Sequence, residues 1–104
     1  MILKKTINKT IQTMNIGNAI KEIRTRKGIS QKDLAIKTGL SANAMCSIEN
    51  EKTFPSMNNI NKICDALGVA QSVLMFFSIT EEDVPEHKRE LFQTLAKPLK
   101  ENIL

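Results

Sequence analysis

Residues 30–50 read SQKDLAIKTGLSANAMCSIEN. They hold two helix-like runs of about two turns each, parted by Thr38-Gly39-Leu40, and isolated helices shorter than ~12–15 residues are marginal in water. Ser30 opens the first run as a cap, and Asp33, three residues on, has the spacing of the reciprocal capping pattern. Leu34 and Ala35 point inward. The run ends at Thr38-Gly39, where glycine takes a positive φ without steric penalty. Ser41 caps the second run, whose inward residues are Ala44, Met45 and Ile48, with Asn50 as its stop. Two helices this short hold their shape only if the rest of the chain braces them.

The flanking sequence supplies the brace. Upstream, Ile16, Ala19, Ile20 and Ile23 form a stripe of helical period, closed by Gly28, with Arg24, Arg26 and Lys27 in the last turns, where cations suit the negative end of the helix dipole. Downstream, Thr53-Phe54-Pro55 reads as a loop, and Ser56 caps a fourth helix with Ile60, Ile63, Cys64 and Leu67 on one face and Gly68 as its stop. Residues 71–77 form a short apolar fifth helix around Val73, Leu74, Phe76 and Phe77. It starts without a capping side chain, because Ala70 has nothing to offer the orphan N–H groups. Thr80–Pro85 is an acidic turn, with Pro85 suited to the first turn of a further helix. In that helix Leu91, Leu95, Leu99 and Ile103 recur every four residues beside Phe92, and Pro98 is expected to kink or end it near Ala96-Lys97. Residues 1–14 form a basic arm, with Ile7, Ile11 and Met14 at helical spacing.

Composition narrows the class. The 104 residues include four Phe and no Trp or Tyr, so the core draws on Ile, Leu, Ala, Val and Met, which favours packed helices over a sandwich of sheets. This length suits a single domain and leaves little for a separate ligand-binding domain. No apolar run reaches the ~20 residues of a membrane span, and the N-terminus lacks a signal-peptide block, so a cytoplasmic location is expected. Cys46 and Cys64 have no CxxC spacing, and with one His they make no metal site. No nucleophile–base pair, paired carboxylates or glycine-rich phosphate loop appears, so neither an enzyme nor a cofactor is expected. Residues 1–55 carry ten Lys/Arg against four acids and residues 56–104 five against seven, a balance of +6 and −2. That asymmetry points to a polyanion for the first half and another partner for the second.

A helix that must enter a groove about ~12 Å wide needs one face and one end free, and a second short helix to hold it at a steep angle. On the outer helix, Ala42, Asn43, Cys46 and Ser47 are left to face outward. At these residues the chain resembles the helix-turn-helix family of phage-repressor and Cro type, the XRE family. The resemblance rests on Ile16–Lys27, Gly28-Ile29-Ser30-Gln31, Leu34-Ala35, Gly39-Leu40-Ser41, Ile48-Glu49-Asn50, Pro55-Ser56 and Ala66-Leu67-Gly68-Val69, and covers roughly residues 16–77. It implies an all-α fold: a five-helix phage-repressor-like DNA-binding domain over residues 15–78, with an additional C-terminal helix in a tail spanning 79–104. It also implies sequence-specific binding of double-stranded DNA, as a homodimer on a palindromic operator, in a transcriptional regulator of the repressor kind.

Carried over position by position, the resemblance makes Ala42, Asn43, Cys46 and Ser47 base-reading residues. Asn43 stands out, since its amide matches N6 and N7 of adenine. Gln31, Ser41, Lys32, Lys52, Thr53, Arg24, Arg26 and Lys27 become phosphate contacts, which set position rather than sequence. Phe76, Phe77, Leu91, Phe92, Leu95 and Leu99 either extend the core, with the tail folded back on the fifth helix, or bury against a second copy, and dimerisation is the role expected of them. Glu51 departs from the family pattern, standing where glycine usually follows Glu-Asn, with Asn50 expected to take the left-handed conformation and the Glu51 carboxylate to lie near the phosphates. Ala70 and Cys46 each replace a common serine. The rival reading is an antitoxin-type interaction module, in which the acidic, leucine-patterned residues 80–104 mask a partner protein.

Overall fold

The computed structural model describes residues 15–104, and the basic arm expected over 1–14 lies outside them. The chain forms two compact units, one of residues Ile16–Ser78 and one that includes Ile79–Leu104. The first holds five helices: α1 (Ile16–Arg26), α2 (Gln31–Thr38), α3 (Ala42–Glu49), α4 (Met57–Leu67) and α5 (Gln71–Ser78). The second holds two short 3-10 turns, Glu81–Asp83 and Glu86–Lys88, followed by α6 (Arg89–Asn102).

In the first unit, local chemistry sets the helix ends. Ser30, Ser41 and Ser56 are extended, and each hydroxyl accepts an N–H from the first turn that follows: Asp33 at 3.0 Å, Ala44 at 3.0 Å and Asn59 at 3.1 Å. At Ser30 this is the half of the capping pattern that forms; the Asp33 carboxylate does not return to the Ser30 N–H. Gly39 closes α2 at φ 72°, which lets the Leu40 N–H reach back to the Ala35 carbonyl at 3.1 Å and turn the chain directly into α3.

The buried core is aliphatic. Ile16, Ile20 and Ile23 from α1, Leu34 from α2, Met45 and Ile48 from α3, Ile60, Ile63 and Leu67 from α4, and Leu74 from α5 are all enclosed. Each fully buried side chain of this size contributes ~1.5–3 kcal/mol of transfer free energy, which is how helices of eight residues persist here. α1 packs on α5 and α3, and α2 packs on α4 and α3. The outer helix of the motif is thus held along one side only. Ala44, expected inward, is half-buried.

Three local expectations are corrected. The left-handed residue after α3 is Glu51, at φ 63°, and not Asn50, at φ −88°. The Glu51 carboxylate accepts the Gly17 N–H at 2.6 Å, serving an orphan donor in the first turn of α1, while the residue itself stays exposed at the surface. In the second unit, Pro98 neither ends nor interrupts α6, which runs through to Asn102; only one N–H is lost, and Asn102 Nδ2 donates to the Pro98 carbonyl at 2.7 Å. Pro85 precedes a 3-10 turn, with α6 beginning four residues later at Arg89.

Candidate nucleic-acid interface

Seven of the eight residues of α3 carry no charge, and the eighth, Glu49, is buried at 2 % exposure. Along the outward side Ser41, Ala42, Asn43 and Cys46 are exposed and Ser47 is half-buried, while Met45 and Ile48 anchor the inner side. The four base-reading candidates therefore share one accessible face. Cys46 is an exposed free thiol, and its Sγ accepts the Asn50 Nδ2–H at 3.2 Å. The loop leaving α3 folds back onto it, with the Lys52 and Thr53 N–H groups both directed at the Ser47 carbonyl, at 2.9 and 3.3 Å.

Glu49 is the anchor that sequence reading missed. Its carboxylate takes Arg24 in two-point fashion, Nε at 2.8 Å and Nη2 at 2.9 Å, and also accepts Gln31 Nε2–H at 3.1 Å. The third arm of the guanidinium, Nη1, donates to the Ile29 carbonyl at 2.9 Å. Side chains from α1, α2 and α3 thus converge on one buried carboxylate. A planar two-point pair whose third nitrogen is also bonded is the geometry in which attraction can offset desolvation.

This removes Arg24 from the phosphate contacts. The residue is 8 % exposed, and all three guanidinium nitrogens bond within the fold, to Glu49 and the Ile29 carbonyl. The signal was present in the sequence: Arg24 stands four residues after Ile20 and eight after Ile16, on the buried stripe itself. Arg26 is likewise engaged. Its guanidinium meets Glu22 at 2.9 Å and lies 5.7 Å from the centroid of the Phe77 ring, an intramolecular cation–π contact. Lys27, Lys32 and Lys52 remain exposed at the surface. Lys27 Nζ lies 3.8 Å from where a Gly68 side chain would begin, beside the C-terminal end of α4, a favourable place for a cation. Gln31 is half-buried with one amide hydrogen committed to Glu49; Ser41 is an exposed cap whose O–H remains able to donate; Thr53 is exposed.

The dimerisation residues divide. Phe77 is 4 % exposed and packs edge-to-face on Phe76 at 5.9 Å, so it belongs to the core of its own chain and is withdrawn from the dimer surface. Phe76 and Phe92 are half-buried. Leu91, Leu95 and Leu99 are exposed along one side of α6, and Ile103, exposed too, follows its end. Among the described residues, no three His, Cys, Asp or Glu side chains gather as metal ligands, and no single helix is long and apolar enough to cross a membrane.

The chain is similar to known proteins in sequence and in fold. Residues 19–71 match the family described as Cro/C1-type HTH DNA-binding domain. The chain is 28% identical over 89 residues to the immunity repressor protein of Bacillus phage phi105, covering 85% of this chain and 62% of that protein. It is 34% identical over 71 residues to the HTH-type transcriptional regulator PuuR of Escherichia coli, covering 67% of this chain and 37% of that one. It therefore spans less than two thirds of either relative. In structure it is similar to the restriction-modification controller protein C.AhdI from Aeromonas hydrophila, with a TM-score of 0.57 and 32% identity over 60% of this chain and 94% of that one.

Proposed function

The chain belongs to the Cro/C1-type helix-turn-helix DNA-binding family, and we propose that it is a sequence-specific regulator of transcription, acting as a repressor that lays α3 in the major groove of double-stranded DNA. The observation that carries this reading is the state of α3. It presents four accessible, uncharged side chains, while the carboxylate at its end is locked by Arg24 and Gln31. Asn43 reads adenine through its amide, Ala42 meets a thymine methyl, and Ser47 and Cys46 complete the face. Lys32, Lys52, Thr53, Ser41 and Gln31 hold the backbone. Repression follows from occupying a promoter and excluding polymerase, and no catalytic step is involved.

The exposed leucine stripe of α6 supports a homodimer. Two copies related by a two-fold axis place their reading helices about ~34–36 Å apart, one turn of the duplex, so the operator is palindromic. The same stripe supports the second reading, an antitoxin-type module whose tail masks a partner protein. Selecting bound sites from a random duplex pool tests the first reading: an enriched palindrome with half-sites one helical turn apart supports it, and a pool without enrichment at low salt sinks it. Leu95→Glu separates the two roles of the tail. It should convert the purified chain to monomer if α6 pairs with itself, whereas a wild-type chain already monomeric at high concentration favours the masked partner.

A further inference from the structure

Two large apolar side chains stand largely open in the segment that follows α3. Phe54 and Met57 are each 60 % exposed. Between them Pro55 is buried and Ser56 caps α4. Their loop is held close, because Lys52 and Thr53 both bond the Ser47 carbonyl at the end of α3. Lys52 is exposed, the first turn of α4 carries no acid, and the Glu51 carboxylate beside Lys52 accepts the Gly17 N–H. A nucleic-acid strand alternates anionic phosphates with the apolar faces of its sugars. Residues 52–57 alternate in the same way, with Lys52 and Thr53, then Phe54, then the capped start of α4, then Met57.

We propose that Phe54 and Met57 are DNA-positioning side chains that pack on the deoxyribose faces of the strand bordering the groove entered by α3. They supply a component of binding that is insensitive to salt and to sequence. This inference rests on the reading that the domain binds duplex DNA, and it assigns the loop a role its cation alone does not fill. Apolar burial releases no counterions, so it leaves no mark on the dependence of affinity on ionic strength, whereas a lysine–phosphate contact does.

The test is anisotropy titration of the full chain with a labelled duplex from the selected pool and with an unrelated duplex, at about 50 to 300 mM salt. Phe54→Ala and Met57→Ala should each weaken binding to both duplexes by roughly 3- to 10-fold, with an unchanged slope of log affinity against log salt. Lys52→Ala should flatten that slope by about one unit. Phe54→Leu should recover most of the loss. Because the chain has no tryptophan, Phe54→Trp adds a direct probe whose emission should shift on addition of either duplex, independently of whether the alanine variants fold. An affinity for both duplexes within twofold of wild type in Phe54→Ala overturns the proposal, as does an emission in Phe54→Trp that DNA leaves unmoved. A wild-type chain that binds neither duplex overturns instead the function on which the proposal rests.

Discussion

Glu51 and Gly17 lie 34 residues apart in sequence and meet at 2.6 Å, the carboxylate of one accepting the backbone N–H of the other. The contact ties the exit of α3 to the entry of α1. It explains two features together: a non-glycine residue in the left-handed region, and a glycine inside the first turn of a helix. A side chain at Gly17 would overlap the Ile48 carbonyl and the Glu51 carboxylate, and would stand 3.0 Å from the Glu49 carbonyl. Gly17→Ala should therefore lower stability by about 2–3 kcal/mol through overpacking, in denaturant titration. A loss below half a kilocalorie would mean that the two segments separate easily.

Glu51 offers a finer comparison at the same place. Glu51→Ala keeps the strained backbone and loses the bond to α1, so it should cost about 1–2 kcal/mol. Glu51→Gly loses the same bond but relieves the backbone, so it should lie about 1 kcal/mol above the alanine variant in stability. Equal stabilities would show that the positive φ carries no cost.

Arg24 and Glu49 form a buried pair, with side chains 10% and 1% exposed. Removing one partner strands the other, so Arg24→Ala or Glu49→Ala should each destabilise by about 3–5 kcal/mol. Replacing both by apolar side chains, as in Arg24→Met with Glu49→Leu, should recover much of that loss. Equilibrium unfolding of the three variants reads the difference directly. A double variant no more stable than the singles would assign the loss to packing rather than to a stranded charge.

The two thiols should behave differently. Burial, and secondarily the charge of Asp65, push the Cys64 thiol up from its ordinary value of 9.0. The folded state then holds its proton at a pH where the unfolded chain has released it. The contribution to stability is complete below about pH 9 and is lost as pH rises beyond it. The thermal midpoint should fall more steeply above pH 9 in the wild type than in Cys64→Val. At neutral pH a thiol reagent should modify the exposed Cys46 at once and Cys64 only on unfolding.

Base reading and backbone holding are separable by mutation. Asn43→Ala should lose about 1–3 kcal/mol of discrimination at one base pair per half-site, with binding to unrelated duplex intact. Lys32→Ala should weaken all duplexes alike and reduce the salt slope by about one. Uniform weakening by Asn43→Ala would remove it from the base-reading set.

What the sequence made legible was local. Serine caps at 30, 41 and 56, and glycine stops at 28, 39 and 68, act within a few residues of themselves, and the apolar periodicity between them marks the core. The failures share a physical cause, a partner distant in the chain. An arginine near a helix end serves dipole, phosphate or buried carboxylate equally well by spacing, and only the fold brings Glu49 beneath Arg24. Glu51 reads as a surface charge without a structural task until Gly17 is placed beside it. Phe77 reads as an exposed apolar residue of a short helix until α1 closes over it. Pro98 does not end α6, because the loss of a single N–H on an exposed helix is survivable when its neighbours bond normally. Of the candidate interface, the α3 face was legible from its own period, while the cations had to be sorted by burial.

The absence of charge on the outward side of α3 has a wider consequence. If grip resides in lysines on the rim and choice in Ala42, Asn43, Cys46 and Ser47, exchanging those four retunes the target without altering the ionic hold. A lineage of such domains can then diverge to new target sequences through a handful of codons, each intermediate keeping its ionic hold while it searches.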